Sequence, residues 1–346
     1  MISWPGAPLA LASAVLSGAS TPIVKLLLGG TSPWMLAGLL YLGSGVGLAV
    51  LHQMWRSAEA PLRRSDLPWL AAVVLSGGVI GPGLLMVGLN QTAASTASLL
   101  LNLEGIATMA IAWLWFHENV DRRILFGAAS ILAGALLLSW QGGPGVFGWG
   151  TLAIAGACLA WGVDNNLTRK LSAADPVQIA MTKGLVAGAT NLVLAAVAGA
   201  AWPATDAVIG AAIVGFFGYG VSLVLFVLGL RHLGTARTSA YFSTAPFIGA
   251  ILAIVLVDDA VSAQLIVAAM LMGVGLYLHL VERHEHEHLH EEIEHEHRHV
   301  HDEHHQHVHG PADPPGEPHT HRHRHARLRH SHPHYPDLHH RHGHAH

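Results

Sequence analysis

Apolar residues fill the first 281 positions in long unbroken runs, not in a strand-like alternation or a one-sided helical stripe. Ten runs of about 18–25 residues stand out: 7–28, 33–52, 67–89, 93–116, 122–140, 147–168, 176–199, 207–230, 235–257 and 262–281. That is the length at which an α-helix crosses the hydrocarbon core of a bilayer. Buried helices of a large soluble protein would keep polar faces, and these runs have almost none. The first run lacks a charged segment before it and extends to Lys25, so it is expected to be a retained span and not a cleaved signal. The pattern predicts an all-α integral membrane protein of ten transmembrane helices.

The connections sort by charge. Arg56, Arg63, Arg64, Arg122, Arg123, Arg169, Lys170, Arg231 and Arg237 fall in or beside those after spans 2, 4, 6 and 8. The other connections carry only Asp206, Asp258 and Asp259. Basic connections stay in the cytoplasm, so both termini are expected there, in a multi-pass protein of the cytoplasmic (inner) membrane.

The chain also repeats itself. Residues 88–138 align with 229–279 at a constant offset of 141, pairing Gly88-Leu89 with Gly229-Leu230, Ser98 with Ser239 and Gly134 with Gly275. A weaker match joins span 1 to span 6, Leu9-Ala10 with Leu152-Ala153. Three parts follow: a five-helix repeat over 1–141, a second over 147–281, and a tail over 282–346. An odd number of spans per repeat turns the second upside down, the inverted-repeat plan of many secondary transporters, whose substrate site lies at the repeat interface near the midplane.

The duplicated segments LLLNLEGIATMAIAWLWFHENVDRRILFGAASILAGALLL and YFSTAPFIGAILAIVLVDDAVSAQLIVAAMLMGVGLYL, with AWGVDNNLTRK near the end of span 6, resemble the EamA-like ten-span type of the drug/metabolite transporter superfamily. The resemblance covers about residues 7–281. It implies a cytoplasmic-membrane carrier with both termini inside, usually exporting small molecules. Pro246 sits where that family usually has a proline, and Gly105, preceded by Glu104, stands at the matching site of the first half. The family's glutamate after spans 4 and 9 is kept as Glu118 and becomes Asp259.

Charge inside a bilayer costs roughly 2.5–3.5 kcal/mol on insertion scales and usually faces a cavity or a partner. Glu104, near the middle of span 4, could take a proton or ligate a cation, with Asn102, Asp164 and Asn165 as candidate oxygen ligands. Lys183 lies at a depth similar to that of Asp164, so the two form a candidate pair that acts as a gate or as structural neutralisation. Lys25 is expected to snorkel to the interface, and Glu118 and Asp259 to cap helices or pair with loops. Helix breaks are expected at Pro22, Pro82, Gly105 and Pro246. The small-xxx-small spacings Gly43/Gly47 and Gly184/Gly188 point to close helix packing.

Composition sharpens the division between body and tail. Only 12% of residues are Asp, Glu, Lys or Arg, against roughly 25% in soluble proteins. Of the 28 histidines, 25 lie from His279 onward. Cys158 is the only cysteine, which excludes a disulfide framework. The tail is expected to be disordered without ligand. Its candidate metal ligands are His284, His286, His288, His290, His295, His297, His299, His301, His304, His305, His307, His309, His319, His321, His323 and His325. Neutral imidazoles favour Zn, Ni, Cu and Co, and affinity falls as they protonate near pH ~6.5. The HExxH spellings at 284–288, 286–290 and 295–299 arise from the compositional bias and carry no protease reading.

The expected function is a proton-coupled carrier exporting divalent transition metals (Ni, Co or Zn). The alternatives are an exporter of amino acids or other small organic metabolites with a metal-responsive tail, and a membrane-anchored metal store or sensor. No P-loop is present, and no enzyme activity is expected. No cofactor is required, and Zn, Ni or Co are the expected ligands of the tail. The expected partners are the lipid bilayer and the metal-ion or small-molecule solute. Homodimerisation is left open, and no nucleic-acid partner is expected.

Overall fold

The computed structural model describes residues 6–54, 61–116, 122–140, 148–171, 174–280, 285–290, 293–299, 319–325 and 328–333. Each apolar run becomes helix. Spans 1 and 2 are α1 (Gly6–Leu27) and α2 (Pro33–Met54). Span 3 is α3 (Leu67–Val73), a π-helical segment Val74–Ile80 and α4 (Gly81–Gln91). Span 4 is broken into α5 (Ala94–Leu100) and α6 (Leu103–Phe116). Then come α7 (Arg122–Ser139), α8 (Trp149–Leu171) and α9 (Pro176–Val197). Span 8 comprises α10 (Thr205–Val214), a second π segment Gly215–Val221 and the start of α11 (Ser222–Phe242). The chain doubles back within α11. A Cβ on Gly229 would meet Thr238 at 3.0 Å, whereas nine residues of straight helix span ~13 Å. Span 9 ends in α12 (Ala245–Leu256) and span 10 is α13 (Ala263–Leu280).

Among the described residues, seven helical stretches are long and apolar enough to cross a membrane, and two shorter apolar helices join them. Their outward surface is lipid-like: Val197, Val255 and Phe126 are among the most exposed side chains. Trp140, Trp149 and Trp202 are exposed toward one end of the bundle, and Trp69, Trp113 and Trp115 toward the other. Amphipathic indoles favour the two membrane–water boundaries.

Proline and glycine explain the breaks. Pro246 sits in the first turn of α12, after a break, where a missing N–H costs nothing, whereas Pro82 follows the π segment without a break and leaves a carbonyl one turn earlier without its N–H donor. Pro22 differs from expectation, because α1 continues through it as regular helix. Both π segments lie at the repeat offset of 141, and the breaks after Leu100 and Phe242 lie at nearly the same offset.

Glycines let helices of the two halves touch backbone to backbone. Gly45 of α2 and Gly184 of α9 face each other, and a Cβ on Gly184 would come within 2.6 Å of the Gly45 nitrogen. Gly43, Gly47 and Gly188 are likewise filled from within the chain, by Ala212, Phe216 and Leu42. Gly134 of α7 packs on Met272 and Ala268 of α13, while its repeat partner Gly275 packs on Gly127 and Ile131 of α7. Gly184→Ala is expected to push α2 and α9 apart. The cost should be about 1–3 kcal/mol, as for other overpacked cores, read as a lower thermal-unfolding midpoint of the purified protein in detergent.

In the tail, the described residues form four short strands. β1 (Glu285–His290) pairs antiparallel with β4 (Leu328–Pro333), and β2 (Ile293–His299) with β3 (His319–His325). The β2–β3 register sets Glu294 opposite Arg324 and Glu296 opposite Arg322. His284, His301, His304, His305, His307, His309 and Glu118 lie outside the described residues.

Candidate polar site within the membrane

The first π segment is the centre of the site. A π turn releases carbonyls from the regular ladder, and released carbonyls inside a membrane need partners. Three side chains supply them. Tyr41 Oη of α2 donates to the Gly77 carbonyl at 2.7 Å, and Trp161 Nε1 of α8 donates to the same oxygen at 3.0 Å. Asn191 Nδ2 of α9 donates to the Gly78 carbonyl at 2.9 Å.

Asp164 and Lys183 lie against this segment. The Lys183 ammonium donates to Asp164 Oδ2 at 2.5 Å, and Thr168 Oγ1 donates to Asp164 Oδ1 at 3.2 Å. Both residues are buried, at 4% and 8% exposure. Each lies seven residues from its helix end, Asp164 from Leu171 and Lys183 from Pro176, or ~10 Å of helix. Gly77 makes room for the carboxylate, since a Cβ there would collide with it.

Glu104 stands in the first turn of α6, just after the break in span 4. A helix N-terminus favours an anion. Asn165 Nδ2 donates to Glu104 Oε1 at 2.9 Å and to Thr108 Oγ1 at 3.2 Å. Asn165 is exposed, Glu104 is half-buried, and nothing lies within 4 Å of where a Cβ on Gly105 would be. Asn166 anchors the crossing, donating to the Thr108 and Gly162 carbonyls.

The second π segment meets the first through aromatic rings. Tyr219 packs on Tyr41 with ring centroids 5.5 Å apart. Tyr41 thus touches both halves, by its hydroxyl to Gly77 and by its ring to Tyr219.

Of the sequence candidates, Asp164 joins Lys183 and Glu104 joins Asn165. Asn102 joins neither pair: its Nδ2 donates to the Leu99 carbonyl and to Met272 Sδ of span 10. Lys25 does not merely snorkel, because its Nζ holds the Leu89 and Thr92 carbonyls between spans 3 and 4. Asp259 is a cap: its Oδ2 accepts from the Ser95 N–H at 2.7 Å, tying the second half to the start of α5. Tyr41, Trp161, Gly77 and Asn191 escaped the sequence reading. The Gly77-Gly78 pair beside Gly81-Pro82-Gly83 was the available signal. Among the described residues, no three His, Cys, Asp or Glu come together as a metal site.

Comparison with known proteins bears on this arrangement. A model of the EamA-like transporter family matches residues 4–140 and again 148–281. A protein of Methanothermobacter thermautotrophicus named an uncharacterized transporter is 25% identical over 287 residues, 78% of this chain and 84% of its own length. The probable 4-amino-4-deoxy-L-arabinose-phosphoundecaprenol flippase subunit ArnE of Yersinia pestis is 33% identical over 89 residues, 26% of this chain and 77% of its own. A solved crystal structure, 20% identical, superposes with a TM-score of 0.60 over 79% of this chain and 95% of its own, a likeness of fold alone.

Proposed function

The chain belongs to the EamA-like transporter family, and we propose that it is a secondary carrier exporting a small zwitterionic organic solute in exchange for protons. The buried Lys183–Asp164 pair carries this reading. It sets one cation and one anion side by side beside the irregular backbone of a broken span. A zwitterion offers the complementary two charges and can replace each partner as the pair opens, so neither ion is left bare in a low-dielectric setting. Glu104 is the proton carrier, held at a helix N-terminus and bonded to the exposed Asn165. The two halves, read as inverted repeats, alternate access around Tyr41 and Tyr219.

A second reading keeps the carrier and makes the cargo a divalent transition metal. The histidine tail favours it, because all 24 histidines beyond residue 281 follow the last span on the side of the basic connections. The ammonium of Lys183 weighs against it, since it occupies one of the two carboxylates a dication would use. In both readings the protein sits in the cytoplasmic membrane with its termini in the cytoplasm, as the basic connections favour.

The test is flux into proteoliposomes under an imposed pH gradient, with a panel of neutral amino acids beside Zn²⁺ and Ni²⁺. Gradient-dependent accumulation of an amino acid is the expected result. Metal flux without organic flux would move the assignment to the second reading.

A further inference from the structure

The connection between spans 3 and 4 closes neither of its own helix ends. Only Thr92 and Ala93 separate α4 from α5, and Ala93 offers no side-chain cap. The last carbonyls of one helix and the first N–H groups of the next therefore need partners from elsewhere. Two charged side chains supply them. Lys25 Nζ, near the end of α1, donates to the Leu89 carbonyl at 2.5 Å and to the Thr92 carbonyl at 3.0 Å. Asp259 Oδ2, between α12 and α13, accepts from the Ser95 N–H at 2.7 Å. Hydrogen bonds with one charged partner are the stronger kind. The ammonium and the carboxylate also attract each other. Beside Asp259, Asp258 has a φ of 56°, the one non-glycine residue among those described with a positive φ. Such a backbone persists only where its surroundings hold it.

Below this grip three helices meet closely. A Cβ on Gly249 of α12 would come within 2.8 Å of the Gly18 carbonyl oxygen of α1 and of Ser98 Oγ of α5. Ser98 is buried, and its hydroxyl has no hydrogen-bond partner among the described residues. α1 and α5 belong to the first half and α12 to the second, and they meet toward the side away from the basic connections. A carrier that alternates access has to part its halves on each side in turn. We propose that Lys25 and Asp259 are the outer latch of this carrier: together they clamp the connection between spans 3 and 4 to span 1 and to the connection between spans 9 and 10, and the outer mouth opens only when they let go. The latch goes beyond the cargo reading and stands or falls whatever solute the membrane part carries.

The experiment measures how fast a polar maleimide labels single-cysteine variants of the full-length protein in detergent, after Cys158→Ala removes the only native cysteine. Ser98→Cys reports on the closed outer contact, and Ala250→Cys, buried in α12, is a second reporter. Ala180→Cys, buried in α9 toward the opposite side, is the control for an intact fold. Lys25→Met and Asp259→Ala are each expected to speed labelling of the reporters by about tenfold, the population shift for losing one charge-assisted bond made only in the closed form. Labelling of Ala180→Cys should stay within about twofold. Asp259→Asn, whose carbonyl can still accept the Ser95 N–H, should fall between Asp259→Ala and the unaltered latch. Reporter labelling unchanged by both latch variants, or a matching rise at Ala180→Cys, would overturn the latch.

Discussion

Asp164→Ala is expected to produce the largest loss of any single substitution in the membrane part. It leaves Lys183 charged, buried and without the partner that now sits at 2.5 Å. Removing one member of a buried pair costs about 3–5 kcal/mol, because the survivor's desolvation is no longer compensated. The yield of folded protein should fall sharply, and transport with it. That result alone would not separate a recognition role from neutralisation, so the double variant Asp164→Ala/Lys183→Met is the informative one. With both charges gone the desolvation cost disappears, and replacing a buried pair by apolar groups is often neutral for stability. Thermal stability should return to within ~1 kcal/mol of wild type, giving a large coupling energy between the two sites. Transport should stay absent. A double variant that folds and transports at the wild-type rate would reduce the pair to structural neutralisation and remove the main support for a zwitterionic cargo.

The asymmetry of the duplication strengthens the case for a role beyond packing. The backbone irregularities recur at matching places: π segments at Val74–Ile80 and Gly215–Val221, and helix breaks in spans 4 and 9. The charges do not recur. At the offset of 141, Glu104 falls opposite Ala245. At the offset of 143 that aligns spans 1 and 6, Asp164 falls opposite Thr21. A charge needed merely to hold the repeated scaffold would be expected in both copies. These charges stand in one copy each, and Asp164 lies beside a π segment whose carbonyls are already satisfied by Tyr41, Trp161 and Asn191.

Much of this was legible from the sequence, for reasons that can be named. Run length located the spans, because bilayer thickness leaves a helix little choice. Depth arithmetic joined Asp164 to Lys183, because antiparallel neighbouring helices meet at equal distances from their shared end. The same arithmetic failed for Asn102. Asn102 sits in the break between α5 and α6, out of helical phase with Glu104, and its side chain bonds Met272 of span 10. The π segments were invisible, since Val-Leu-Ser-Gly-Gly-Val-Ile reads as ordinary span and a π turn changes no hydropathy. Tyr41 was lost for a related reason: one tyrosine in an apolar run looks like packing until the carbonyl it serves is in place. Asp259 was correctly expected to cap a helix, but only the fold reveals that the helix belongs to the other half.

Glu104→Gln is expected to leave the protein folded and to uncouple it from the proton gradient. Glutamine keeps the length of glutamate, and its carbonyl oxygen can still accept the Asn165 amide that Glu104 Oε1 now accepts. The bond of Thr108 Oγ1 to the residue 104 carbonyl is a backbone contact and is unaffected. Little stability should be lost, less than ~1 kcal/mol by analogy with exchanges that leave no buried donor unpaired. What disappears is the group that can hold and release a proton at the middle of span 4. An exchanger lacking it can still move solute in both directions but cannot draw on protons. In proteoliposomes, gradient-driven accumulation of the cargo should drop more than tenfold, while counterflow of labelled against unlabelled cargo at equal pH should remain within about threefold of wild type. Loss of both activities with an intact fold would place Glu104 in substrate binding and not in coupling. Wild-type accumulation by the variant would sink the role altogether, since the neighbouring carboxylate, Asp164, already holds Lys183.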